Sequence, residues 1–315
     1  MDINGLWVQG YTIQVQILHI EGVYFSAVRE LGIELTKSLG VNTSVRGVTK
    51  LRNEIYVLCR SNDRSQTVIC VYQDDTPFDL LSKFKIIECR LSCDIVSCEE
   101  DNCLYISDLR NGSIWKITIT SRKDGQYEAI QWSTCNYKPY TMSTFGNGDL
   151  LIIEESELPV LARYAADGVL RRKIQLPDVI KYPHHAVETS TGDFIIIDEP
   201  KDEENEDSSI RSEKKSVWRI HHVTGDGQMV IRSKELSSET QEVKDPWHLS
   251  LCSEDQVFMA SSKVILLNSD FTLRATVDGR IATTGSRRLF YDDEKRQLIV
   301  GGPGKRVDVY SLTMK

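Results

Sequence analysis

No apolar run in this chain of 315 residues approaches the roughly 20 that a membrane helix needs, so the sequence predicts no membrane partner. The opening segment, "MDINGLWVQG", has an acidic second residue and no basic stretch ahead of an apolar core, which predicts no secretory signal. Basic residues are the minority: 38 Lys and Arg stand against 46 Asp and Glu, a formal net charge of -8. A backbone-phosphate surface needs clustered cations, so nucleic acid is disfavoured as the main partner, and single-stranded RNA is kept only as an alternative. There is no G-x-S-x-G, no P-loop and no G-x-G-x-x-G leading from a strand into a helix. "GGPGK" (301–305) lies between two strand-like segments with no helix after it and reads as a turn. No convincing amphipathic helix occurs, and no cofactor is expected.

Tight C-x2-C pairs are also missing. The eight cysteines fall at 59, 70, 89, 93, 98, 103, 135 and 252. The cluster Cys89, Cys93, Cys98, Cys103 has spacing C-x3-C-x4-C-x4-C, unlike a zinc ribbon or knuckle. Without a signal the thiols read as reduced, which places the chain in the cytoplasm. Cys98 and Cys103 flank "EEDN" and could face one another across a hairpin.

What is present is repetition. Short apolar cores recur at "EIYVL" (54–58), "CLYIS" (103–107), "DLLII" (149–153), "DFIII" (193–197), "QVFMA" (256–260) and "QLIVG" (297–301). Their starts are separated by 49, 46, 44, 63 and 41 residues. A short turn precedes each core and a second apolar segment follows it, as in "SIWKI", "VLARY" and "SVWRI". One further segment lies upstream of each pair and an outer one lies downstream. Four strands repeated six times at 40–50 residues predict an all-β, six-bladed β-propeller of four-stranded antiparallel blades. The last unit supplies three strands only. "GIELTKSL" (32–39) can supply the fourth, so an N-terminal strand closes the last blade and leaves no open edge. The expected organisation is residues 1–30 as an extension or linker, then the ring over 31–315. The 63-residue interval comes from an acidic loop insertion at 198–216, in which six of the nine residues from Glu199 to Asp207 are acidic.

The repeats "CDIVSCEEDNCLYISDLRNGSIWKI" (93–117), "KPYTMSTFGNGDLLIIEESELPVLARYAADG" (138–168) and "DPWHLSLCSEDQVFMASSKVILLNSD" (245–270) resemble NHL-repeat propellers, as found in the tripartite-motif-NHL ubiquitin ligases. The resemblance covers roughly 31–312 and is degenerate: only Asp108 and Asp198 keep the Asp that ends the family's second strand. It implies a ring used as a binding platform for protein or RNA. No RING, B-box or coiled coil precedes this ring, so ligase activity is not implied.

In such a ring, the loops entering each inner strand share one face with the loops between second and third strands. Those loops carry Arg46, Arg110, Tyr140, Tyr182, His184, Trp247 and Arg287. Trp, Tyr and Arg supply most of the energy at protein interfaces, so these residues are the expected partner-binding set. Aligning the inner strands places Val45, Asp94, Tyr140, His184, Trp247 and Arg287 at the entry position. Arg46, Ile95, Thr141, His185, His248 and Arg288 fall one residue inward. His185 and His248 resemble part of the ligand set of the peptidyl-amidoglycolate lyase propeller. A catalytic zinc wants three protein ligands, and no third inner-strand His exists here. The expected function is therefore a non-catalytic protein-interaction scaffold, a monomeric ring using one face. The alternatives are a metal-dependent lyase or hydrolase at the channel mouth and single-stranded RNA binding.

Overall fold

A computed structural model describes residues 31–41, 44–60, 67–74, 79–86, 89, 92–119, 127–134, 138–144, 148–155, 158–199, 217–236, 246–277, 288–302 and 305–314. The extension 1–30, most of the acidic insertion (200–216) and Arg287 lie outside these residues.

Six antiparallel four-stranded sheets account for every strand described. The first blade is β2 (Ser44–Leu51), β3 (Glu54–Arg60), β4 (Thr67–Gln73) and β5 (Leu80–Ile86), β1 being the closing strand Leu31–Gly40. The second is β6 (Ser92–Cys98), β7 (Cys103–Asp108), β8 (Ser113–Thr118) and β9 (Glu128–Thr134). The third is β10 (Lys138–Thr144), β11 (Leu150–Glu155), β12 (Val160–Tyr164) and β13 (Leu170–Gln175). The fourth is β14 (Pro183–Glu188), β15 (Phe194–Asp198), β16 (Trp218–Val223) and β17 (Val230–Leu236). The fifth is β18 (His248–Leu251), β19 (Val257–Ala260), β20 (Val264–Leu267) and β21 (Leu273–Val277). The sixth is β22 (Arg288–Asp292), β23 (Gln297–Gly302) and β24 (Arg306–Met314), completed by β1 (Leu31–Gly40). Contacts run β2–β6–β10–β14–β18–β22 and back to β2, so the first strand of every blade lines a closed ring. The expected six-bladed propeller, closed by an N-terminal strand, is what the chain forms.

The runs are apolar on consecutive positions because each blade is buried on both faces. In β7, Cys103 and Tyr105 pack toward Met142, Leu150 and Tyr164 of the third blade. Leu104 and Ile106, on the other side of the same strand, pack toward Leu58 and Ile69 of the first. Six such cores lie between the six neighbouring pairs of blades. The turn from first to second strand reverses the chain through one left-handed residue per blade: Arg52, Asn102, Gly148, Gly192, Asp255 and Arg296 all have positive φ. The "EEDN" turn is thus one of six equivalent punctuation marks.

A buried ionic clasp joins the last blade to the first. Lys50 Nζ lies 2.7 Å from Asp74 Oδ2 and also pairs with Asp292. Lys295 Nζ reaches the same Asp74 oxygen at 2.8 Å. Lys37, on the closing strand β1, donates to the Asp74 carbonyl.

Candidate functional site

The inner strands enter the ring irregularly. Register shifts occur between Val45 and Gly47, Ser92 and Ile95, Pro139 and Met142, and Pro183 and His185. Extra residues at these bulges turn side chains away from the alternating pattern, a device common beside functional sites. Arg46, Asp94, Tyr140, Thr141 and His184 all sit at them.

Three of the expected residues come together on the upper face, where chains enter the inner strands. The His184 ring stands 4.9 Å from Trp247 in an edge-on contact and 6.1 Å from Tyr140. Trp218, at the start of β16, joins them at 4.7 Å from His184 and 5.9 Å from Trp247. Trp218 is buried, whereas Tyr140, His184 and Trp247 are partly exposed. Glu199 Oε2 lies 3.2 Å from His184 Nε2, placing a carboxylate inside the aromatic patch. Tyr182, 42% exposed, stands next to it. Its N–H donates to Asp198 Oδ1 at 2.6 Å and its carbonyl accepts from Glu199, which fixes the loop. Arg110 is exposed at the tip of a separate turn, stapled by Asp108, whose carboxylate accepts the Arg110 N–H and the Asn111 amide. Arg46 is partly buried in the first blade. Trp218 was not singled out from the sequence; its one signal is an aromatic residue opening a third strand that begins on this face.

Immediately below the patch the channel is plugged. Asp94, His185, His248 and Arg288, from four different blades, meet at its axis. The two imidazoles stack with centroids 3.9 Å apart. Asp94 Oδ1 accepts the Ile95 N–H and Oδ2 accepts the Met142 N–H, each at 3.0 Å, the second across a blade boundary. Arg288 Nε stands 3.6 Å from Asp94 Oδ1 and His248 Nε2 stands 3.7 Å from Oδ2. Arg288 also donates to the Cys93 carbonyl at 3.2 Å. Burial holds His185 well below its ordinary range, with the neighbouring His248 and Arg288 adding to the effect. His248 is lowered too, again chiefly by burial.

The plug corrects the strand alignment. Ile95 is opposite Ile106, Met142 opposite Ile152 and Ala186 opposite Ile196, which makes Asp94 the counterpart of Thr141 and His185. The sequence alignment set Asp94 beside Tyr140 and His184 instead; β6 and β10 carry the same two-residue bulge, Cys93–Asp94 and Tyr140–Thr141, and residue type does not mark which member of it faces the axis.

Asp94, His185 and His248 offer one ligand atom each within 4.8 Å of one another. The donors of Asp94 and His185 are engaged, however, while the buried His248 Nδ1 makes no hydrogen bond. The His185 Nδ1 accepts the Leu249 N–H and its Nε2 faces the Met142 carbonyl, both at 3.3 Å. Both Asp94 oxygens hold backbone N–H groups. A metal here would have to displace interactions that tie blades together, so this donor set does not fit an open catalytic centre.

Below the plug, the inner strands enclose a cavity of about 220 Å³. Its polar lining includes Thr49, Ser97, Ser143, Glu188 and Ser250. Burial raises the Glu188 carboxyl, with the nearby Arg163 opposing the shift. The volume lies below the roughly 300 Å³ at which ligand pockets usually begin.

The four-cysteine cluster divides in two. Cys93 lies near one end of β6 and Cys98 at the other, about 16 Å away at the rise of a strand. Cys89 takes the Thr67 hydroxyl at 3.6 Å, while Cys98 and Cys103 are directly paired across the β6–β7 hairpin. Burial pushes the Cys89 thiol up to about 12 and the Cys93 thiol up to about 11.

Among the described residues no helix is long and apolar enough to cross a membrane. No family model matches the chain, and no curated protein matches it. Solved structures do. The chain is similar to virginiamycin B lyase from Staphylococcus aureus, with a TM-score of 0.53 at 11% identity over 90% of this chain and 100% of that one. It is similar to the WD40 propeller domain of Doa1, with a TM-score of 0.56 at 12% identity over 90% and 97% of the two chains. Kuenenia stuttgartiensis hydrazine synthase matches with a TM-score of 0.59 at 11% identity over 86% of this chain and 83% of that one. Identities this low establish a shared propeller fold and no shared chemistry.

Proposed function

We propose that this chain is a non-catalytic scaffold that holds a protein partner on its upper face, centred on Tyr140, Tyr182, His184 and Trp247. The observation that carries the reading is the convergence of aromatic rings from three blades around His184, with Tyr182 exposed beside them. Large, rigid, amphipathic rings set in a stiff frame give contact area at small entropic cost, as binding hot spots do. The similarity to a WD40 domain supports the same use of the fold. Glu199 within the patch, added to the net charge of -8, favours a partner with Arg or Lys and opposes phosphate, which sets protein above RNA. The engaged donors of the plug set scaffold above metal-dependent lyase or hydrolase. A reducing compartment, the cytoplasm, is supported by the seven described cysteines, all free thiols. Closure of the circle of blades within one chain, through the pairing of β1 with β24, fits a monomer.

The test uses two surface changes that spare the cores. Tyr182→Asp and, as a control on the opposite face, Asp255→Ala are compared with the parent by quantitative affinity purification from the native cell. A protein recovered in stoichiometric amount should be lost with Tyr182→Asp, kept with Asp255→Ala, and should bind the purified ring directly. Equal recovery with both variants would place the partner elsewhere and refute the reading.

A further inference from the structure

The turn at the tip of the β6–β7 hairpin holds a second group of ligating atoms, remote from the plug and from the aromatic patch. We propose that Cys98, Asp101 and Cys103 bind a borderline-soft divalent cation of the zinc class. One donor atom from each lies within 4.8 Å of the other two. A tetrahedral zinc with Zn–S near 2.3 Å and Zn–O near 2.1 Å separates its ligands by roughly 3.5–3.8 Å, so closing on the ion needs shifts of about 1 Å.

Three features of the hairpin suit this chemistry. Cys98 and Cys103 are directly opposite across the ladder, with both sulfurs on one side of the sheet and Asp101 in the turn that links them. That turn is closed by the Asn102 N–H donating to the Glu99 carbonyl and by Asn102 in the left-handed region, which fixes where Asp101 starts. The backbone N–H of Asp101 donates to the Cys98 sulfur, the kind of support that thiolate ligands receive from their surroundings. A fourth position has a candidate as well. A Cβ placed on Gly148 of the third blade would stand 3.1 Å from Cys98 Sγ and 3.2 Å from Glu100 Oε2, so the Glu100 carboxylate and the sulfur border the same space. Only a residue without a side chain leaves that space open.

With water rather than Glu100 in the fourth position, the charges also balance. Two thiolates and the Asp101 carboxylate carry three negative charges against the two of the cation. Lys116, whose Nζ lies 2.6 Å from Asp101 Oδ2, supplies the remaining positive charge. Binding proceeds by exchange: each thiol gives up its proton to solvent as its sulfur bonds the metal, with no change of oxidation state, so affinity rises with pH. The contrast with the plug is chemical. There Asp94 and His185 already serve the fold through backbone hydrogen bonds, whereas here the two thiols bond chiefly to one another.

The full chain, reduced, loaded with Zn2+ and desalted, should retain about one zinc per chain by mass spectrometry. Loading with Co2+ should give intense thiolate-to-cobalt bands in the near ultraviolet and the visible bands of a tetrahedral ion. Cys98→Ser with Cys103→Ser should abolish both. Asp101→Asn should lower affinity by at least the roughly 10–100-fold that even outer-shell changes cost. Since Cys103 is fully buried and its loss can destabilise the blade, alkylation of the unaltered chain provides a second measure. Zn2+ should protect Cys98 from iodoacetamide and leave the rate at Cys252 unchanged. Retention of metal by the double Ser variant, unprotected Cys98, or a Cys98–Cys103 disulfide that forms in preference to zinc retention would each overturn the proposal.

Discussion

Asp94→Ala is the sharpest perturbation of the ring, because one carboxylate holds four blades at the axis. Asp94 is 1% exposed. Its removal leaves the Ile95 and Met142 N–H groups without their acceptor and takes the counter-charge from Arg288. Removing one member of a buried ion pair costs about 3–5 kcal/mol, and each buried donor left unmade costs about 1–3 kcal/mol. These overlap. The Arg288–Asp94 approach is a loose 3.6 Å, and Arg288 keeps the Cys93 carbonyl, so the lower part of the range, about 3–4 kcal/mol, is expected. At about 2–4 °C per kcal/mol for a large domain, the melting temperature should fall by about 6–16 °C. Scanning calorimetry at pH 7.5 measures it. A double-mutant cycle with Arg288→Met then isolates the pair. The double variant should lose at least about 1 kcal/mol less than the sum of the single losses, as expected for groups in contact. A melt within 2 °C of the parent, or strict additivity, would show that Asp94 does not bind the plug together.

Two other outcomes follow from buried ionisable groups. His185 and His248 are neutral in the folded ring and have lowered folded values, so their contribution to stability is complete above the unfolded value near 6.5 and is lost as pH falls below it, by up to about 1.4 kcal/mol per pH unit for each. Denaturation between pH 7.5 and 5 should show this slope and His185→Gln should reduce it; a flat profile in the parent would contradict the neutral plug. Lys50→Met leaves Asp74 and Asp292 facing one another with less counter-charge, at a cost of about 3 kcal/mol, moderated by Lys295. Amide exchange should accelerate in β1 and β24 before the other blades, and uniform acceleration around the ring would show that the clasp does not govern closure.

How far the molecule was legible depends on which interactions are periodic. The cores of β7, β11 and β15 could be read because burial on both faces makes the whole strand apolar, and because the left-handed turn before each one repeats in sequence. Closure by Leu31–Gly40 was legible for the same reason: the last unit lacked one strand and the first had one to spare. The plug was half legible. His185 and His248 could be paired by position, but Asp94 was set one residue out of register with them, because residue type does not mark which member of a bulge faces the axis. The clasp was not legible at all, since Lys50 and Asp292 are 242 residues apart and each resembles any other charged strand end. The terminal Asp of the NHL-like pattern shows why the repeats degenerate. Asp108 and Asp198 cap turns through backbone N–H groups, whereas Glu154 at that position takes the Tyr164 hydroxyl and Lys173. Residue type at this position therefore varies from blade to blade while the fold stays, β19 and β23 ending in Ala260 and Gly302.

The aromatic patch and the plug meet at one bulge. Between Pro183 and His185 the β14 ladder shifts by a residue, so adjacent side chains that would alternate across a sheet are re-aimed. His184 goes up to Trp247, Trp218 and Glu199; His185 goes inward to Met142, Leu249 and the His248 ring. A partner seated on His184 therefore presses on backbone that also positions the plug. Since the His185 ring ties that backbone to the Met142 carbonyl and the Leu249 N–H of the two flanking blades, the patch is held before any partner arrives. Little ordering entropy is left to lose at the patch on binding. The stiffness that makes the channel a poor metal centre is the same property that makes the face above it a good platform.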